Sequence, residues 1–286
     1  MELAAGIFAN VLILSSMYIL IALGFALLFS IIGILHVSHG AVYTVSGYIC
    51  WQLSQAAGIN QWLALALTVL IVGAFGLFLE RFCFRPFTGD FDRSLVVGVG
   101  IILILQTTIV VTVGQESRSM SPFVTGILRS GPISVSLERL ATFAVGAALL
   151  AVLVWFINKT KTGLQMRAIA QDLQGAIMQG ININRISAIA VVIACASAAV
   201  AGCLMGAYVS LNPFMGDIAL AKALVLVILG GIGSLTGIFY AGLLLGALDA
   251  TLPIFFSGSV AEVIAMGAII VVLLIRPTGF LGREIA

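Results

Sequence analysis

Charge is scarce in this chain. Its 286 residues include 13 basic and 11 acidic side chains, 8% of the total, against 62% hydrophobic residues and a mean hydropathy of +1.23. A soluble domain would carry roughly a quarter charged residues, so a water-soluble globule is excluded. The net charge is +2 and no dense basic stretch occurs, which argues against a nucleic-acid-binding face. Histidine is limited to His36 and His39, which lie three apart without a nearby carboxylate or cysteine; they make a poor metal site, and no metal is expected. Cys50, Cys83, Cys195 and Cys203 have neither ligand nor disulfide spacing and read as small buried hydrophobes. Lysine occurs at Lys159, Lys161 and Lys222, never after a glycine, so the Gly-Lys-Ser/Thr of a phosphate-binding loop is missing. Any ATPase must come from another chain. The opening MELAAGIF has Glu2 where a basic leader would have lysine or arginine, so the first apolar span is expected to be retained.

What is present is a series of apolar runs of the length that crosses about 30 Å of hydrocarbon as helix. Barrel strands would alternate in character every second residue; these runs do not, and the expected fold is an all-α polytopic transmembrane helix bundle. We place nine spans, with eight to ten allowed, at 7–31, 38–56, 61–81, 94–115, 138–158, 187–210, 218–235, 237–254 and 258–275. The short glycine-rich connections 33–40 and 230–237 suit helices interrupted inside the membrane. The loop 116–138, with Pro122, Gly126, Gly131 and Pro132, reads as irregular and is too short for a separate domain. The chain, 1–286, is therefore taken as one membrane domain.

The longest hydrophilic insert is 159–186. With it on one side fall Arg81, Arg85, Arg93, Lys159, Lys161, Arg167, Arg185, Arg276 and Arg283, against Arg118, Arg129, Arg139 and Lys222 on the other. That asymmetry puts the insert and the C-terminus in the cytoplasm and, with nine spans, the N-terminus outside. Trp51 and Trp62 around Gly58, and Trp155 before Lys159, suit interfacial anchors. Within the insert, Ile169, Leu173, Ala176, Ile177 and Gly180 fall on one face of a helix, entered at Gly163 and stopped at Gly180. A helix lying on lipid headgroups is one reading. The small residues Ala176 and Gly180 grip lipid weakly but allow close approach, which favours docking in a protein groove.

Residues 30–48 also align with 227–245 as a weak internal repeat: Gly33 on Gly230, Gly40 on Gly237, Tyr43 on Tyr240. Transport sites commonly form where such repeats meet at interrupted helices. Around 229–237, unwound backbone could meet a zwitterion at Gly230, Gly231, Gly233 and Ser234. Ala198, Gly202 and Gly206, and Gly242 with Gly246, have the four-residue spacing of tight helix contacts.

Four motifs in order, RAIAQD with GININR in the insert, SHGAVY at 38–43, NPFMG with Lys222 and LGGIGSLTG at 212–237, and RPTGFLGR at 276–283, resemble permeases of bacterial ABC importers for branched-chain amino acids, the LivH type. The likeness spans nearly the whole chain. It departs at His36 to Gly40, where members commonly read Asn-Phe-Ala-His-Gly, and at Ala41, where an acidic residue is frequent. The resemblance implies a coupling helix in the 159–186 loop, formed or flanked by Arg167, Ala170, Asp172, Ala176, Gly180 and Ile181. It implies a bacterial inner-membrane location, a second homologous permease, two ATP-binding subunits that hold ATP and Mg, and a periplasmic binding protein that carries most of the specificity. The chain itself would be no enzyme and bind no cofactor. The substrate would be a branched-chain or other apolar amino acid, with amides, urea and aromatic acids open within the family. The expected pathway residues are His36, Ser38, His39, Gly40, Tyr43, Asn212, Gly230, Gly231, Gly233 and Ser234. A competing class is an ion-coupled carrier or channel, which needs ionisable groups inside the membrane. Its main candidates, Asp249 and Glu262, fall toward the outer ends of their spans and read as solvated, so little or no charge-paired site is expected in the pathway.

Overall fold

A computed structural model describes residues 2–32, 36–87, 90–130, 133–231 and 233–281. Its helices are α1 (Glu2–Ile32), α2 (His39–Trp51), α3 (Gln61–Phe78), α4 (Phe91–Val113), α5 (Leu137–Lys159), α6 (Lys161–Gln171), α7 (Leu173–Met178), α8 (Ile183–Tyr208), α9 (Met215–Gly230), α10 (Leu235–Phe255) and α11 (Gly258–Ile275). α2 runs on as a π-helix over Gln52–Ala56, and α3 as one over Leu79–Phe84. Each of the nine expected spans falls on a helix. Seven of these are long and apolar enough to cross a bilayer by themselves. The two that are not, α2 and α9, have 13 and 16 residues, about 20 and 24 Å at 1.5 Å per residue.

Of these two short helices, α2 lies in the interior, while α9 packs one face inward and leaves Asp217, Ile218 and Ile228 exposed. Ten of the α2 residues are buried, so α2 faces protein, whereas α4 and α11 expose most of their apolar surface. The start of α2 is level with the middle of α8 and with the last third of α1. A Cβ on Gly24, eight residues before the end of α1, would stand 3.2 Å from both the Ala194 carbonyl and His39 Nε2, and Ala194 lies eleven residues into α8. The start of α9 meets α2 at the same level: Gly40 and Gly216 pack backbone to backbone, and a Cβ on Gly40 would also come within 2.9 Å of Leu220. Both short helices thus begin inside the bundle and run to opposite ends.

Small residues permit this closeness. Helix packing in lipid depends on van der Waals contact and close approach, because lipid tails are as apolar as leucine. α8 buries Ala190, Ala194, Ala198, Ala201 and Gly202, and a Cβ on Gly202 would strike the Tyr43 carbonyl of α2. Gly206 faces Leu211, Gly242 faces Ile19 of α1, and Gly246 faces Ser15. The close-packing role read from their spacing therefore holds.

The interruption before α9 lies in the NPFMG motif. Leu211 exchanges both backbone hydrogen bonds with Arg118, at 2.9 and 2.8 Å, and Asn212 Oδ1 accepts from Phe214 N at 2.9 Å. The loop 116–138 is less irregular than expected: β1 (Ile127–Ser130) and β2 (Ile133–Ser136) pair antiparallel, with Leu128 opposite Val135. Gly33 of the proposed repeat lies outside the described residues. Of the aligned tyrosines, Tyr43 is buried and Tyr240 exposed.

Candidate functional site

At the end of the bundle that carries the polar insert, the single amphipathic helix expected over 167–181 is two helices. Asp172 breaks it. Its backbone is extended (φ −152°, ψ 104°), and its carboxylate accepts from Gly175 N at 3.0 Å, capping α7; a short acidic side chain at such a position favours a new helix start over continuation. Thr160 caps α6 in the same way through Gly163 N. α7 then ends in a Schellman motif: Gly180, at φ +77°, donates to Ile177 O, and Ile181 donates to Ala176 O, the pairing that satisfies the last carbonyls of a helix.

The break rotates the expected face. Ile169 and Ala176 turn inward and are buried, while Leu173, Ile177 and Met178 are exposed, Met178 by 81%. Arg167, Ala170, Asp172 and Gly180 are also exposed and Ile181 is half-buried. Of the six expected coupling residues, only Ala176 is turned into its own chain. Leu164 on α6 and Met178 on α7 were not among them, yet both project apolar surface here.

The expected pathway residues separate into three places. Gly230, Gly231, Gly233 and Ser234 form a tight turn at the end of α9 and start of α10. Gly231 and Gly233 take φ of +93° and +83°, Ser234 Oγ caps α10 by accepting from Gly237 N, and the backbone of the RPTGFL segment docks alongside. Phe280 N donates to Leu229 O at 2.8 Å and Leu281 N to Gly230 O at 3.2 Å. The two motifs farthest apart in the C-terminal third thereby close one helix end, since terminal carbonyls need partners.

His36, Ser38, His39, Gly40 and Tyr43 line the entry to α2. His36 packs 4.4 Å from Phe84 between ring centroids and shares a 3.3 Å contact between its Nδ1 and Ser38 Oγ. His39 lies between Phe25 and His36, at 6.2 and 6.1 Å. Both histidines are buried. Asn212 sits instead in the extended stretch ahead of α9.

A cluster that the sequence reading did not foresee lies between α1, α9 and α10. Lys222 Nζ donates to Asp249 Oδ2 and, at 3.0 Å, to Tyr18 Oη; Tyr18 Oη donates to the same Asp249 Oδ2 at 2.8 Å. The ammonium also stands 4.9 Å from the Tyr18 ring centroid, within cation–π range. The Lys222 and Asp249 side chains are each 12% exposed. Lys222 therefore does not belong to the loop tally, and Asp249 is no solvated end residue. A charged pair thus lies among the spans. The signal that could have found it is plain: α9 has a lysine at its centre, and the next helix has an aspartate. Nearer the start of α9, Gln106 of α4 donates to Asp217 Oδ1 at 2.8 Å, a second polar tie to this helix.

Residues 7–274 match the family model described as branched-chain amino acid transport system, permease component. The high-affinity branched-chain amino acid transport system permease protein BraD of Pseudomonas aeruginosa is 34% identical over 96% of this chain and 94% of its own length. The LivH proteins of Salmonella typhimurium and Escherichia coli are each 32% identical over the same 96% and 94%. Among solved structures, PsaBC from Streptococcus pneumoniae in complex with Fab superposes with a TM-score of 0.54 at 14% identity, covering 95% of this chain and 92% of that one; at that identity the likeness speaks for the fold alone. These relatives are named as transport permeases, not as enzymes. With the match covering all eleven described helices in whole or nearly so, the chain belongs to the family of permease components of branched-chain amino acid transport systems.

Proposed function

We propose that this chain is the membrane permease of an ABC importer that brings branched-chain or other apolar amino acids into the bacterial cell. The observation that carries the reading is the family match over 7–274. In this reading the chain pairs with a second, homologous permease. Two ATP-binding subunits dock on α6 and α7 and hold the ATP and Mg, and a periplasmic protein delivers substrate from the other side. The exposed Leu164, Leu173, Ile177 and Met178 with Arg167 suit a protein groove, being apolar anchors beside a charge. Closing of the ATPases would push α6 and α7 and rock the permease halves between outward and inward access.

The insert and the C-terminus face the cytoplasm and the N-terminus the periplasm. With Lys222 removed from the count, the basic asymmetry is nine to three, which strengthens the inside assignment.

The test is reconstitution. The chain, its permease partner, the ATPases and the binding protein are placed in proteoliposomes, and uptake of labelled leucine is followed with and without ATP. ATP-dependent uptake that needs every component is expected; uptake by this chain alone, without ATP or partners, would refute the reading in favour of a carrier or channel.

A further inference from the structure

The Tyr18, Lys222 and Asp249 cluster has no role in the coupling surface and no counterpart among the motifs that suggested the family, apart from the bare presence of Lys222. Its position is informative. Lys222 is seven residues into α9 and eight from its end, Tyr18 is near the centre of α1, and Asp249 is six residues from the end of α10. The charges thus sit within the membrane-spanning part of the bundle, where ionisable groups face the interior or a water-filled route. They are not sealed: each charged side chain retains 12% exposure. An opening toward lipid would leave charge against hydrocarbon at a cost of several kcal/mol, so the opening faces water or protein.

The hydrogen bonding is also incomplete. Tyr18 and Lys222 both use the same carboxylate oxygen, Asp249 Oδ2. Among the described residues Asp249 Oδ1 has no hydrogen bond, and the ammonium, which has three donors, uses two. One acceptor and one donor of opposite charge are left side by side. Tyr43 of α2 and Glu262 of α11 lie within electrostatic reach of the Tyr18 phenol, so four helices besides α9 contribute polar groups to this neighbourhood.

We propose that this cluster is an intramembrane site for the charged end of a zwitterionic α-amino acid, with the carboxylate taken by Lys222 and the ammonium by Asp249. The proposal rests on the importer reading and names where its substrate is held in passage. A free α-amino acid carries both charges on adjacent carbons, so it can replace the pair's mutual contact without leaving either partner uncompensated. That makes the exchange affordable in a low-dielectric setting, where an unpaired charge would be expelled. Tyr18, bonded to both groups, keeps them in register while the site is empty.

The competing role is a clamp that only ties α9 to α1 and α10. Such a pair can be exchanged for apolar residues of similar volume with little loss. The complete complex in proteoliposomes separates the two, with labelled leucine uptake expressed per ATP hydrolysed and assembly checked by copurification. Lys222→Met and Asp249→Asn are each expected to lower leucine moved per ATP on the order of tenfold or more, the loss of a charge-assisted contact, and the double variant Lys222→Met/Asp249→Leu is expected to stay equally low. Recovery of wild-type uptake in the double variant would overturn the site in favour of a clamp, as would unchanged uptake in Asp249→Asn, whose isosteric side chain keeps the packing. Wild-type complex that shows no ATP-dependent leucine uptake would instead sink the importer reading beneath it.

Discussion

Gly40 and Gly216 are the residues on which the interior depends most directly. Each takes the place where the other's backbone passes, so a side chain on either has backbone, not a flexible neighbour, in its way. Gly40→Val or Gly216→Val is expected to destabilise the folded chain by about 1–3 kcal/mol or more, the range for overpacking, read as a lower midpoint of thermal aggregation in detergent. Gly100 on α4 is the control: a Cβ there meets nothing within 4 Å, and Gly100→Ala should be neutral or stabilising by up to about 1 kcal/mol through helix propensity. Equal effects at the two sites would count against the crossing.

At the scale of elements, α7 is the most conditional. It is six residues long, far shorter than a helix that is stable alone, and it is held by the Asp172 cap at one end and Gly180 at the other. Asp172→Ala should cost about 1 kcal/mol of local stability and weaken ATPase copurification, while Met178→Asp, which leaves the caps intact, should weaken copurification without changing the thermal midpoint. If Met178→Asp retains the ATPases fully, the exposed face of α7 is not the docking surface. Gly180→Ala tests the other end, since the left-handed conformation costs a side chain about 1–2 kcal/mol.

The same elements show how far the sequence could be read. Helix existence was legible because hydrocarbon thickness imposes length and apolarity on each span, and the tight contacts of Gly202, Gly206, Gly242 and Gly246 were legible because helix periodicity stacks residues four apart. The break at Asp172 was not, because a periodic apolar face and a cap-forming aspartate compete locally, and the cap won. Nor was the level at which α2 and α9 begin: that is set by the backbone contact of Gly40 with Gly216, residues distant in sequence. The Lys222 and Asp249 pair escaped because the expected spans 218–235 and 237–254 put Lys222 near the start of one and Asp249 near the end of the other, whereas α9 begins at Met215 and centres on Lys222.

Across the whole molecule, the C-terminal segment joins the turn at Gly230 to the last span. Its amides at Phe280 and Leu281 satisfy the carbonyls of Leu229 and Gly230, and Gly279, at φ +76°, lies too close to Ile228 and Leu229 for any side chain. Removing the residues after Ile275 should leave the spans in place but raise hydrogen exchange at amides 231–238, and Gly279→Val should do the same to a smaller extent. Unchanged exchange in the truncated chain would mean that the turn holds itself.

The charged pair also bears on how the chain is made. α9 leaves the ribosome before α10, and with Lys222 at its centre and only 16 residues of helix it is a poor candidate to partition into lipid by itself. Its counter-charge arrives 27 residues later, across a turn so tight that Gly230 touches Gly237. The two helices should therefore enter the bilayer together as a hairpin. A nascent chain halted just after α9 should leave that helix outside the hydrocarbon, and one extended through Asp249 should carry both across.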